Sequence, residues 1–416
     1  MDALTTLAVT WFTVYLAELA AAKTRLTPVL YFLAFGCLLV NLGILPYETD
    51  PFIRGFSEIG IILIMFALGF EESQENFVRG IKTSWAIAFF GAILPFAAAY
   101  YLAQLFFRND NIALMSGLAM TATAVSLTMV SLKSEHLSQS RAATGIMTSA
   151  VLDDIGSLAA MAIMVPIATG TSAPDLTGIV LITGKAVLFF VLIAIISSWI
   201  LPHQVKGFMG RLPLVNNHGI KHLLAIGQGR HSTLTMLLLA LVVGLLAHEF
   251  GFHPAIGAYM AGLIIKEEYF LFEKNKGKDF YAETRTIVEN AAFSWVGPVF
   301  FVTLGTHIQF EWDIVVAIIP QAILMTIVLV VVQIGSAGLA AKLTAGFDWP
   351  DSLLIGCGML GRAELAFVVM DIAYVQNQIL STEAFYILMF SCFWMNVLVP
   401  VTISQWKKKY GKVAVL

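Results

Sequence analysis

The chain has 416 residues, of which 58% are hydrophobic and 12% charged, with a net charge of -3. Soluble domains carry about 25% charged residues, so this composition and a mean hydropathy of +0.83 exclude an ordinary soluble protein and place the chain in the bilayer. Nothing in the slightly acidic balance suggests nucleic acid, and no such partner is expected. The three cysteines, Cys37, Cys357 and Cys392, have neither pairing nor metal-knuckle spacing.

Thirteen apolar stretches long enough to cross a bilayer are read, at roughly 3–21, 27–45, 53–70, 84–107, 111–132, 141–168, 176–201, 232–249, 253–266, 291–309, 314–343, 350–375 and 380–404. No basic leader or cleavage site precedes the first, so it is expected to be a retained span. The ninth is short and forms a hairpin with the eighth through 248–253. With the N-terminus outside and the C-terminus cytoplasmic, 20 of the 24 Lys and Arg residues fall on the inside and only Arg54 and Arg108 outside. That asymmetry is a positive-inside signal. Residues 203–231 read as a loop between halves. Residues 266–290 alternate charge and aromatic side chains, as either an interfacial amphipathic helix or a solvated loop would.

Spans four to six and eleven to thirteen have matching layouts. An offset of seven spans reverses direction in the membrane, so the repeat is inverted. The middle member of each triplet carries helix-weakening sequence: Thr121-Ala-Thr-Ala-Val-Ser126 in the fifth span, and Gly356, Gly358 and Gly361 in the twelfth. Hydroxyl residues compete with helical hydrogen bonds and glycine weakens them. Interrupted helices in corresponding positions point to a midplane binding site, against the alternative that small residues serve only close packing.

The sixth span carries Asp153 and Asp154 at least ten residues from either end. A carboxylate at bilayer depth costs roughly 2.5–3.5 kcal/mol to insert and usually marks function. Two in succession point about 100° apart, so both cannot face lipid. Their oxygens suit a hard monovalent cation. Proton and cation then compete for one site, which yields obligate exchange when the empty charged site cannot cross. Arg362 and Glu364, in the twelfth span, are expected to anchor its broken helix and set the local field, or to serve purely as structural charges. His248, Glu249 and His253 lack a fourth ligand for zinc. No Walker, Rossmann or nucleophile-elbow motif occurs, so neither an enzyme nor a cofactor is expected and an ion gradient is the driver.

The run Ser57-Glu-Ile-Gly-Ile-Ile-Leu-Ile-Met-Phe-Ala-Leu-Gly-Phe-Glu71, the 121–126 segment with Asp153-Asp154 about thirty residues on, His253-Pro-Ala-Ile-Gly-Ala-Tyr-Met-Ala-Gly262, Gly297-Pro-Val-Phe-Phe-Val-Thr-Leu-Gly305 and Gly358-Met-Leu-Gly-Arg-Ala-Glu364 resemble, in order and spacing, the Kef-type and NapA-type branch of the monovalent cation/proton antiporters. The resemblance implies an all-α, NhaA/NapA-like fold of about thirteen transmembrane helices, with an inverted repeat and two crossed broken helices. It also implies a homodimer in the bilayer, a bacterial inner membrane by default, and an elevator-like motion. The dimerisation panel would comprise 1–83 and 232–313, the moving core 84–168 and 314–416, and a linker 169–231.

By the same resemblance Asp154 is the primary carrier of Na⁺ or K⁺ and of H⁺, Asp153 is its partner, and Thr123 lies at the crossing. Thr121, Ser126, Arg362 and Glu364 support the broken helices. Electrogenic relatives place a lysine in span eleven where this chain has Gln333. A glutamine releases no proton, so Asp153 is expected to hold its own proton and donate it to Gln333, leaving Asp154 alone to cycle in an electroneutral exchange. A potassium-efflux channel, a non-transporting scaffold and a sodium-coupled anion symporter are the rival readings. No TVGYG-like filter supports the channel.

Overall fold

The computed structural model describes residues 2–24, 27–71, 74–137, 140–170, 176–197, 224, 231–270, 279–309, 311–362 and 364–410. Among these residues the secondary structure is helical throughout. The loop expected at 203–231 lies almost wholly outside the described residues. So does the middle of 266–290, of which a 3₁₀ turn at Glu267–Phe270 and a helix from Phe280 are described.

The helices, in chain order, are α1 (Ala3–Thr24), α2 (Pro28–Asn41), α3 (Pro51–Glu71), α4 (Gln74–Phe107), α5 (Asp110–Ala119), α6 (Val125–Ser134), α7 (Arg141–Ala168), α8 (Leu176–Ile195), α9 (Ser232–Glu249), α10 (Pro254–Leu263), α11 (Phe280–Asn290), α12 (Gly297–Thr306), α13 (Trp312–Thr344), α14 (Trp349–Gly358), α15 (Glu364–Met370) and α16 (Thr382–Tyr410). Single π-helical turns follow α11 and α15. Among the described residues eight helical runs are long and apolar enough to cross a membrane, and two shorter apolar helices accompany them. With no water in the hydrocarbon region, every backbone group must pair within the protein, which makes uninterrupted helices the default span.

The chain falls into two compact units. One comprises Met1–Thr49, Glu75–Ser172 and Phe301–Leu416, the other Asp50–Gln74 and Ala173–Phe300. In the second unit, small residues bring backbones into direct contact. A β-carbon on Gly69 of α3 would sit 2.0 Å from the Tyr259 carbonyl oxygen, and one on Gly262 of α10 would sit 2.3 Å from that of Phe66. In turn Gly257 presses α10 against Val243 of α9, where a β-carbon would lie 2.2 Å from the carbonyl oxygen. Lipid supplies no hydrophobic drive between helices, so close van der Waals packing of this kind substitutes for it. The α9–α10 hairpin turns at Gly251, whose φ of +84° suits glycine. His253 caps α10, its Nδ1 accepting from the Ala255 amide at 3.3 Å.

In the first unit α5, α7 and α14 each start on a side-chain cap. Asn109 accepts from the amides of Asn111 and Ile112 at 3.0 and 3.1 Å. Ser140 accepts from Ala143 at 3.1 Å, and Asp348 accepts from Asp351 at 2.8 Å. Such caps satisfy amides that the first helical turn leaves open. Basic side chains gather at one end of this unit. Arg141 lies over Phe347 at 4.7 Å and Lys342 over Trp349 at 5.7 Å. Lys407 pairs with Glu135 at 3.3 Å, beside Trp406, which donates to the Pro350 carbonyl at 2.7 Å. These contacts bring residues from three separate basic segments of the sequence to one face.

The α3–α10 contact leads to a stability prediction. Gly69→Ala and Gly262→Ala should each destabilise the protein by about 1–3 kcal/mol, the usual cost of overpacking. Gly55→Ala, where an added β-carbon meets nothing within 4 Å, should be nearly silent. Thermal unfolding of the three variants in detergent checks this, and equal melting temperatures for all three would refute the contact.

Candidate functional site

Two helices of the first unit are broken in mid-course, and the breaks meet. The first break runs over residues 120–124, between α5 and α6, and the second over 359–362, after α14 and ahead of α15. They coincide with the segments whose hydroxyl and glycine content predicts weakness. The last turn of α5 is closed by the Thr121 hydroxyl, which donates to the Leu118 carbonyl at 2.8 Å. From there the chain crosses the partner break. The Ala124 amide donates to the Gly361 carbonyl at 2.9 Å, and the Thr128 hydroxyl donates to the Gly358 carbonyl at 2.6 Å. A β-carbon on Gly361 would stand 3.1 Å from both the β-carbon and the carbonyl oxygen of Ala124, so a larger residue there would press on the crossing.

Arg362 sits inside the second break with no exposed surface. Its Nη1 donates to the carbonyls of Met359 and Gly361 at 3.1 and 2.9 Å. These carbonyls lie just beyond α14, where the helix macrodipole favours a positive charge. Glu364 is buried as the first residue of α15, at a helix start that favours a negative charge. Opposite charges thus face opposite helix ends across one gap. The backbone of Arg362 is held by Asn396 of α16 at both its N–H and its carbonyl: Oδ1 accepts from the Arg362 amide at 2.7 Å and Nδ2 donates to its carbonyl at 2.5 Å. Asn396 is absent from the site residues inferred from sequence, although an asparagine in the apolar run 393–401 is the kind of mid-span polar group that marks a site.

Asp153, in the middle of α7, points into this crossing. Its Oδ2 accepts from the Thr123 amide at 3.0 Å, and only 2% of the residue is exposed. Among the described residues its Oδ1 has no hydrogen-bond partner, and neither do the Thr123 hydroxyl, Gln333 Nε2 or Arg362 Nε. Buried polar groups are almost always paired, so a cluster of open oxygens and N–H groups is chemistry set aside for something else. Asp153 Oδ1 and Thr123 Oγ1 are hard oxygen donors of the type an alkali cation takes. Arg362 is an electrostatic neighbour of Asp153 and bears a charge it cannot shed.

Asp154 follows on α7 and is half-buried. The sequence places both aspartates at one depth, and the structure adds that they face different surroundings. Gln333, fully buried on α13, departs from expectation. Its Oε1 is taken by Arg362 Nη2, and a donation from Asp153 is not among the hydrogen bonds of the described residues. The physical reason is the donor inventory: a buried guanidinium has five N–H groups to satisfy, and the Gln333 carbonyl is a neutral acceptor within reach. The Ser126 side chain lies outside the described residues.

Comparisons with known proteins place the chain in a family. The family model described as sodium/hydrogen exchanger, transmembrane, matches residues 8–409. The chain is 29% identical over 334 residues to the probable Na⁺/H⁺ antiporter GerT of Bacillus cereus, covering 79% of this chain and 78% of that protein. It is 24% identical over 352 residues to a Na⁺/H⁺ antiporter of Enterococcus hirae, covering 83% of each. Its fold is similar to that of the sodium proton antiporter MjNhaP1 of Methanocaldococcus jannaschii, with a TM-score of 0.67 at 14% identity over 97% of this chain and all of that one. These relatives are transporters and not enzymes. The crossed helix breaks, the paired mid-span aspartates and a family match over nearly the full length converge: this multi-pass membrane protein belongs to the sodium/hydrogen exchanger family.

Proposed function

We propose that the chain is a secondary antiporter that exchanges a monovalent cation, Na⁺ in preference to K⁺, for H⁺ at Asp153 and Asp154. The observation that carries the reading is the Asp153 carboxylate docked on the Thr123 amide at the meeting of two helix breaks, with Asp154 beside it. Similar proteins support the ion class: GerT is a probable Na⁺/H⁺ antiporter, and GerN of Bacillus cereus is a Na⁺/H⁺-K⁺ antiporter. On this reading the cation takes carboxylate and hydroxyl oxygens that a proton vacates, and Asp154 is the primary carrier. Thirteen crossings related by an inverted repeat, an N-terminus outside, a bacterial inner membrane and a homodimer complete the arrangement. Residues 84–168 and 314–416 move as an elevator against a panel of 1–83 and 232–313, joined by 169–231.

Exchange is electroneutral on this reading, because Gln333 brings no titrating charge. Arg362 supplies the positive field at Asp153 instead and keeps its charge throughout the cycle. Gln333 holds the guanidinium in place, and Asn396 holds its peptide.

Three outcomes test the reading. In proteoliposomes loaded with a pH dye, external Na⁺ should trigger a pH change that Asp154→Asn abolishes. Cation flux without any pH change would favour a channel, and silence in both measurements would favour a scaffold. Reversal potentials should correspond to one proton per cation, and a higher ratio would refute electroneutrality. Asn396→Ala should lower stability by about 1–3 kcal/mol, since it leaves a buried peptide unsatisfied. A melting temperature equal to wild type would show that the clamp does not hold the break.

A further inference from the structure

Helix α2 meets its neighbours in two different ways. Against α12 the backbones touch: a β-carbon on Gly36 would sit 2.2 Å from the Val302 carbonyl oxygen, and one on Gly305 would sit 2.3 Å from that of Leu33. Toward α15 and α16, α2 instead borders a cavity of about 240 Å³ within the first unit. Leu33, Ala34 and Cys37 line it from α2, and Phe367, Met389 and Phe393 line it from α15 and α16. The aromatic wall is braced from behind. Phe367 meets Phe301 edge-on at 6.0 Å, and Phe301 stacks on Phe32 at 6.4 Å. The polar atoms at the wall are already committed. Ile308 also lines the cavity, and its carbonyl accepts from Cys37 Sγ at 3.4 Å and from Asn41 Nδ2 at 2.8 Å, which uses both its lone pairs. Among the described lining residues the other side chains are hydrocarbon or thioether.

Such walls suit neither an ion nor water. A charged group would be buried without a partner, and a water needs several polar neighbours to stay. An apolar cavity of about 150 Å³ stays dry and accepts benzene, so this larger one has room for a second fused ring. Phenyl edges and the Met389 thioether favour the faces and edges of an aromatic guest over a plain alkyl chain. We propose that the cavity binds a small uncharged aromatic molecule of one or two fused rings between α2 and α16. The binding stands on the size and chemistry of the walls. A consequence rests on the antiporter reading above. There α2 and Ile308 belong to the panel, and α15 and α16 to the moving core. A guest lodged between them is a wedge in the sliding face, and it slows exchange without touching the aspartates.

The test uses the full chain in lipid nanodiscs and two fluorinated probes, neutral 2-fluoronaphthalene and charged 6-fluoro-2-naphthoate, followed by fluorine NMR. The neutral probe should give a bound resonance that empty nanodiscs lack. The naphthoate should bind at least about tenfold more weakly, a difference of about 1.4 kcal/mol, since its carboxylate finds no partner among these walls. Ala34 lines the cavity and is exposed, so Ala34→Trp should fill the space and remove the bound resonance at a wild-type melting temperature. Methionine methyl labelling covers the case that this variant does not fold: the bound probe should show a nuclear Overhauser contact to one methyl, and Met389→Leu should remove it. Four results would each overturn the proposal: no bound resonance in wild type, as a lipid chain already in place would give; equal binding of the two probes; a bound resonance that survives in folded Ala34→Trp; or contacts to other methionines only. Transport in proteoliposomes separates the two readings. Binding that leaves exchange unslowed would refute the wedge. Binding to a protein that exchanges no ions would refute the antiporter and leave the cavity assignment intact.

Discussion

The structure of the first unit depends on one constraint: two helices are interrupted at the same place inside an apolar environment. Each interruption frees carbonyls and amides that have no water to turn to. The arrangement answers this locally. One break donates to the other through Ala124 and Gly361, Thr128 covers the Gly358 carbonyl, and the Arg362 guanidinium covers Met359 and Gly361. What is left open is small and specific: a carboxylate oxygen, a hydroxyl and a few N–H groups. Among the described residues, the site is what these bonds leave open.

The charges follow from the same constraint. An arginine without exposed surface is costly in isolation. Here it lies past a helix C-terminus, shares its donors among three carbonyl oxygens, including that of Gln333, and has Asp153 as an electrostatic neighbour. Glu364 takes the opposite position at the start of α15. Removing any one of these groups would leave the others buried and uncompensated, which is a stronger penalty than the loss of a single contact. The support and the site are one network.

Much of this was legible in the sequence because membrane burial makes polar residues conspicuous. Asp153, Asp154, Arg362 and Glu364 stand out in apolar runs, and the hydroxyl and glycine segments at 121–126 and 356–361 mark the two breaks. Pairing within the network was not legible. The resemblance pairs Gln333 with Asp153, whereas its carbonyl faces Arg362. Sequence distance gives no rank among buried partners, and a guanidinium with five donors outcompetes a carboxyl with one. Asn396 escapes a sequence reading because a single amide in an apolar run carries no periodic signal, although it bonds both the backbone N–H and the carbonyl of Arg362.

The crossing is built largely from peptide groups and from residues that have almost no side chain. A side-chain contact can be lost and restored by a compensating change in its partner. A joint between backbones has no such second site, because the chemical groups that make it are the same whatever the residue. Its only variable is bulk, and Gly361 has none to add. Drift in this region should therefore run along the outer surfaces of α5, α6, α14 and α15, while the few residues at the crossing behave as a fixed hinge pin whose dimensions the rest of the unit must respect.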